Sequence, residues 1–153
     1  MMMNSIQVSD SKTLKLTNVL SRRIMPEELQ SIPTILTQMD NYIRSQNALP
    51  VGPLVQHVVV VPGPQPEPQL YLMRQVNQLF ARVDAQYHMD AVLRVKNCLY
   101  AHFTGPMTKS DLAGQKLKIL AFENDIKLKD SVYSIFVNQD DDEAVVDVFM
   151  EKD

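Results

Sequence analysis

Apolar residues recur along this chain at two rhythms, every second residue and every third or fourth, and the rhythms alternate. Residues 14–21 alternate apolar and polar, with Leu14, Leu16 and Leu20 on one face, and predict a strand. Helical spacing follows. Leu29, Ile32, Leu36, Met39 and Ile43 form a one-sided stripe that Ile35 and Tyr42 widen, the pattern of a helix lying on a sheet. Pro26 suits the first turn of that helix, and Glu27 and Glu28 suit its positive end. Pro33 sits inside the stripe and predicts a kink or a restart. After a turn over residues 48–53, residues 54–61 are β-rich, and the unbroken Val58-Val59-Val60-Val61 predicts a strand covered on both faces. The Pro-rich residues 62–68 connect it to a second arm, residues 69–76, with Leu70, Leu72 and Val76 on one face and Tyr71 and Met73 on the other.

The second half repeats this order. Residues 91–103 form a strand with Val95, Leu99, Ala101 and Phe103 facing one way and Cys98, Tyr100 and His102 the other. Thr104-Gly105-Pro106 breaks it. Thr108-Lys109-Ser110-Asp111 reads as a capping box before a helix that runs to about Asp125, with Leu112, Ala113, Leu117, Leu120 and Ala121 as its buried stripe. Residues 131–138 and 144–151 then form a hairpin around the acidic tip 139–143. Between the halves, Leu79, Phe80 and Val83 suggest a short helical turn. An echo ties the halves together: Asn18 recurs as Asn97, 79 residues later, and Pro26 as Pro106, 80 residues later. The fold class that follows is α+β, two pseudo-symmetric β-α-β-β repeats forming a mainly antiparallel sheet with both helices on one face. The expected organisation is a tail over 1–11 and a single domain over 12–153, comprising repeat one (12–76), a connector (77–90) and repeat two (91–153). Two such halves predict a groove between them, and hence a binding module.

Composition narrows the function classes. With 153 residues, 45% hydrophobic and 22% charged, the chain can bury a core, and its net charge of −3 without a basic block argues against direct nucleic-acid binding. The N-terminus lacks the charged and apolar regions of a signal peptide, and the longest apolar run is too short to span a bilayer, so a cytoplasmic protein without a membrane segment is expected. One cysteine, Cys98, fits a reducing compartment and excludes an intrachain disulfide. His57, His88 and His102 share no metal-ligand spacing, and the 140–143 run lacks the alternating ligands and glycine of a calcium loop, so neither a metal nor a cofactor is expected.

The stretch Tyr100-Ala101-His102-Phe103-Thr104-Gly105-Pro106, with the strand and helix order around it, resembles the gyrase-inhibitor-like domain, the fold of the effector-binding domains of multidrug-sensing transcription activators. The resemblance covers about residues 12–152 and implies a groove that takes hydrophobic or cationic small molecules. No helix-turn-helix precedes residue 12, which implies a stand-alone copy. Cation-binding members place a Glu just before an aromatic in the strand after the second helix; here Ser131 stands at that place, ahead of Val132 and Tyr133. Members with hydrolase activity pair that carboxylate with aromatics, often Trp, and this chain has no Trp. The architecture is also similar to small Gram-positive bacterial proteins, some associated with specialised protein secretion.

The expected function is therefore non-catalytic binding of an apolar or aromatic small molecule, with Tyr71, Tyr100, His102 and Tyr133 as the walls of the site. Tyrosine offers a flat apolar body with a polar tip. His102 lies two residues from Tyr100 on the same face, with no carboxylate nearby in sequence to orient it. Cys98 and His102 lie about 13 Å apart on an extended strand, too far for a nucleophilic pair. Two alternatives stand beside this reading: a protein-interaction adaptor or chaperone that binds a segment along the apolar 54–61 strand, and a hydrolase of a small electrophile using His102. The internal pseudo-symmetry leaves homodimerisation open.

Overall fold

A computed structural model describes residues 5–153 as six strands and two α-helices, an α+β fold. The strands are β1 (Ser5–Ile24), β2 (Leu54–Val61), β3 (Glu67–Gln75), β4 (Tyr87–Gly105), β5 (Leu128–Asn138) and β6 (Ala144–Lys152); the helices are α1 (Ile32–Ser45) and α2 (Leu112–Glu123). Packing groups them into two compact units. The first unit is Lys15–Leu93; the second combines Arg94–Asp153 with the N-terminal segment up to Leu14.

In the first unit, β3 pairs antiparallel with both β1 and β2, and α1 covers one face. Ile35, Met39 and Ile43 pack on Leu20, Ile24, Leu72 and Val76. Pro33 resolves as a restart: a short 3₁₀ helix over Pro26–Ser31 precedes α1, which takes Pro33 into its first turn, where a missing N–H costs nothing. In the second unit, β6 pairs antiparallel with β4 and β5. Ala113, Leu117 and Ala121 of α2 pack on Leu99, Ala101, Phe103, Val146, Val148 and Met150.

The echoed asparagines carry a structural device. Asn18 (φ 50°) and Asn97 (φ 60°) both adopt the left-handed conformation in the middle of a long strand. Such a residue bends the strand, and directly after each one the strand is covered on both faces: Val19 with Leu20, and Cys98 with Leu99, are buried at successive positions of a regular ladder. Asn accepts this backbone at low cost, whereas a β-branched side chain does not. Asn97→Val is expected to destabilise by roughly 1–3 kcal/mol, with Asn97→Gly close to neutral, measured by urea unfolding. Both helices also close alike, through Asn47 (φ 58°) and Asp125 (φ 53°), with Ala48 N–H bonding the Ile43 carbonyl and Ile126 N–H that of Ala121.

Five sequence expectations need correction. β1 begins at Ser5, so the described part of the supposed tail is strand; its side chains are mostly exposed, which removes the apolar alternation that would have marked it. Val58–Val61 is not covered on both faces; these residues are half-buried or exposed, and cross-strand pairing with β3 holds them. The 77–90 connector contains no helical turn, yet Phe80 and Tyr87 bury themselves in the α1 core and Tyr87 opens β4. Residues 108–111 make no side-chain cap. A 3₁₀ turn over Met107–Lys109 brings Asp111 into helical geometry already, and Met107 N–H bonds the Asp141 carbonyl instead. The first helix opens as 3₁₀, where Glu28 accepts from Met25 N–H and from Arg22. Among the described residues no helix is long and apolar enough to cross a membrane.

Candidate functional site

Alternation along β4, β6 and β5 settles which side chains share a face. Leu99, Ala101, Phe103, Val146, Val148, Val132 and Phe136 meet α2 or its core. Their intervening neighbours Tyr100, His102, Asp147, Phe149 and Tyr133 therefore occupy the opposite face of the second unit. The register aligns them in two rows: Tyr100 opposite Phe149 opposite Tyr133, and His102 opposite Asp147 opposite Ile135.

The first row is aromatic. The Tyr100 and Phe149 rings lie 4.9 Å apart at a 46° tilt, and Phe149 and Tyr133 are buried. The Lys12 ammonium of β1 sits 5.8 Å from the centre of the Tyr100 ring, within cation–π range. The second row is ionisable. Asp147 Oδ1 lies 2.6 Å from His102 Nδ1 and accepts a 2.8 Å hydrogen bond from the Tyr100 hydroxyl. Burial, then the hydrogen bond to Asp147 and its negative charge, push the Tyr100 phenol well above its ordinary range, so it stays a neutral donor. One carboxylate oxygen thus holds a tyrosine and a histidine from the neighbouring strand.

The structure accordingly brings Tyr100, His102 and Tyr133 onto one face of one unit. The fourth predicted residue, Tyr71, lies in the first unit, on the face of β3 opposite Leu72, between Arg23 and His57 in register. Its ring stacks on His57 with centroids 5.8 Å apart, and its hydroxyl donates to Gln69. A shallow depression of about 410 Å³ also lies in the first unit, lined by Phe80, Arg82, Val83, His88 and Met89, and none of the four predicted residues borders it. Cys98 is buried, its thiol pushed up by desolvation and directed to the Val95 carbonyl; it is a packed residue.

Asp147 is the member that sequence reading missed, and it corrects the expectation that nothing orients His102. A signal existed: Asp147 is the lone charge inside the apolar run Ala144-Val145-Val146-Asp147-Val148-Phe149-Met150. A carboxylate in such a strand needs a partner, and His102 and Tyr100 supply it.

Neither a protein-family model nor a curated protein matches the sequence. Solved structures do match in fold. The EcmrR–DNA complex in EcmrR-RPo aligns with a TM-score of 0.71 at 15% identity, over 97% of this chain and 57% of that one, so the chain spans little more than half of that protein. The EcmrR C-terminal domain aligns with a TM-score of 0.62 at 12% identity, over 99% of this chain and 98% of that one. SAV2435 bound to tetraphenylphosphonium aligns with a TM-score of 0.52 at 11% identity, over 97% and 94% of the two chains. The fold that the gyrase-inhibitor-like resemblance implied is the fold found.

Proposed function

We propose that this chain is a binding domain for an apolar or aromatic small molecule, and that the Tyr100–Phe149–Tyr133 face of the second unit is its site. The observation that carries the reading is the continuous aromatic row across three strands, bordered by a polar row. Phe149 and Tyr133 form a rigid apolar floor. Tyr100 and His102, half-buried, present edges a ligand can meet. Aromatic surface gains from stacking beyond simple burial, and the Asp147 cluster fixes the Tyr100 ring in place. The likeness to SAV2435, which holds a ligand of four phenyl rings, supports a small-molecule role for this fold.

The experiment is calorimetric titration of the purified chain with tetraphenylphosphonium and with neutral aromatic compounds. Tyr100→Ala is expected to weaken a genuine ligand about tenfold, the loss of roughly 1–1.5 kcal/mol of ring contact. Equal affinity in wild type and Tyr100→Ala would move the site elsewhere, and the absence of any aromatic ligand would remove the reading.

A further inference from the structure

We propose that His102 is a general base for the hydrolysis of small aryl esters, with Asp147 as its positioning residue. The proposal rests on the aromatic site just described and goes beyond it, against the sequence expectation of a non-catalytic domain. The Nδ1–Oδ1 distance of 2.6 Å places the imidazole proton on Nδ1, facing the carboxylate. The Nε2 lone pair is then directed away from Asp147, on a ring whose side chain is 34% exposed. Tyr100 donates to the same carboxylate oxygen, so Asp147 is held from two sides and cannot swing from the histidine without losing both bonds. This is the geometry that fixes a tautomer and stabilises an imidazolium when it forms.

Substrate class follows from the adjoining row. His102 and Tyr100 are separated by one pleat, about 6–7 Å along the strand. A phenyl ring resting on the Tyr100–Phe149 row would carry an attached ester carbonyl to the level of the imidazole. Cys98 is buried and takes no part, and the proposed attacking group is water.

The water oxygen bonds to the carbonyl carbon while its proton passes to Nε2, and the C=O electron pair moves onto oxygen. When the tetrahedral adduct collapses, the carbon–aryloxy bond breaks and the departing oxygen takes the proton from Nε2. A carboxylic acid and a phenol result, His102 is regenerated, and neither oxidant nor cofactor is consumed.

Phenyl acetate tests this with wild type, His102→Gln, Asp147→Asn and His88→Gln. His88 also meets an aspartate, Asp90 at 3.1 Å, but with 72% of its side chain exposed, and serves as the control for adventitious surface imidazole. The expected result is saturable turnover above buffer, a fall of about 10²-fold in kcat in His102→Gln, and no change in His88→Gln. Asp147→Asn should lower kcat by a larger factor than it raises KM and displace the inflection of the pH–rate profile, which a structural role alone would not do. His102→Gln alters a third-exposed side chain, so its outcome does not depend on the folding of the Asp147 variant. Wild-type turnover equal to buffer, or equal to His102→Gln, overturns the proposal. Titration of the same samples with tetraphenylphosphonium and with neutral aromatic compounds separates the two claims: binding without turnover removes catalysis alone, and neither removes both.

Discussion

Phe103→Ala should destabilise the chain by about 3–5 kcal/mol and lower its melting temperature by roughly 10–15 °C. Phe103 is a fully buried side chain on β4, packed with Leu99, Ala101, Leu117 and Val146 beneath α2. Truncation removes the ring from an apolar site and leaves a cavity that the flanking strands, fixed by the β4–β6 ladder, close only in part. The contrast is Phe122 of α2, 85% exposed, whose change to Ala should stay within about 0.5 kcal/mol. Paired urea unfolding curves check both. A Phe103→Ala loss below about 1 kcal/mol would mean that the α2 core is not the stabilising element described. Because Phe103 adjoins His102 on the strand, the same variant is expected to weaken ligand binding without touching the aromatic face.

The helical spacing that kept Phe122 out of the α2 stripe also shows how far sequence carries. Burial leaves its mark where one face meets a core, so Ile35, Met39 and Ile43, and Ala113, Leu117 and Ala121, are all legible. It leaves none where a strand lies exposed, which is why β1 begins well before its apolar alternation. Alternation places Cys98 with Tyr100 and His102, and the unbroken β4–β6 register from Cys98 to Gly105 agrees; what alternation does not mark is that Cys98 is buried as fully as Leu99 on the other face. The echo of Asn18 in Asn97 marked both left-handed positions, although nothing in the pattern itself stated what the asparagines do.

The site was legible one strand at a time. Tyr100 and His102 are near neighbours on β4, and Tyr133 lies within an arm of the final hairpin, so alternation could name them. Their partners are set by register. His102 meets Asp147 across 45 positions of sequence because the β4–β6 register sets the two residues directly opposite each other. A slip of one residue would put Val146 or Val148 opposite His102 and turn the carboxylate toward the α2 core. The chemistry of the site is thus a property of strand alignment, and the aromatic row and the ionisable row stand or fall with the same register.

Acidification should cost the fold stability through the first unit, by about 2 kcal/mol between about pH 7 and pH 5. Burial pushes the His57 imidazole down to about 4 from its ordinary 6.5. In the unfolded chain it titrates near that ordinary value. Above about pH 6.5 both states are neutral and no proton is exchanged on unfolding. As pH falls through 6.5, the unfolded chain takes up a proton that the folded chain refuses, and stability declines until about pH 4, where the folded form also protonates. The stacked Tyr71 ring covers one side of the imidazole, and a phenyl ring can keep that stack. His57→Phe retains the stack and deletes the titration. Urea unfolding at both pH values is expected to show the wild type losing about 2 kcal/mol more than His57→Phe over this interval. Parallel losses in the two proteins would show that His57 is not the acid-sensitive group.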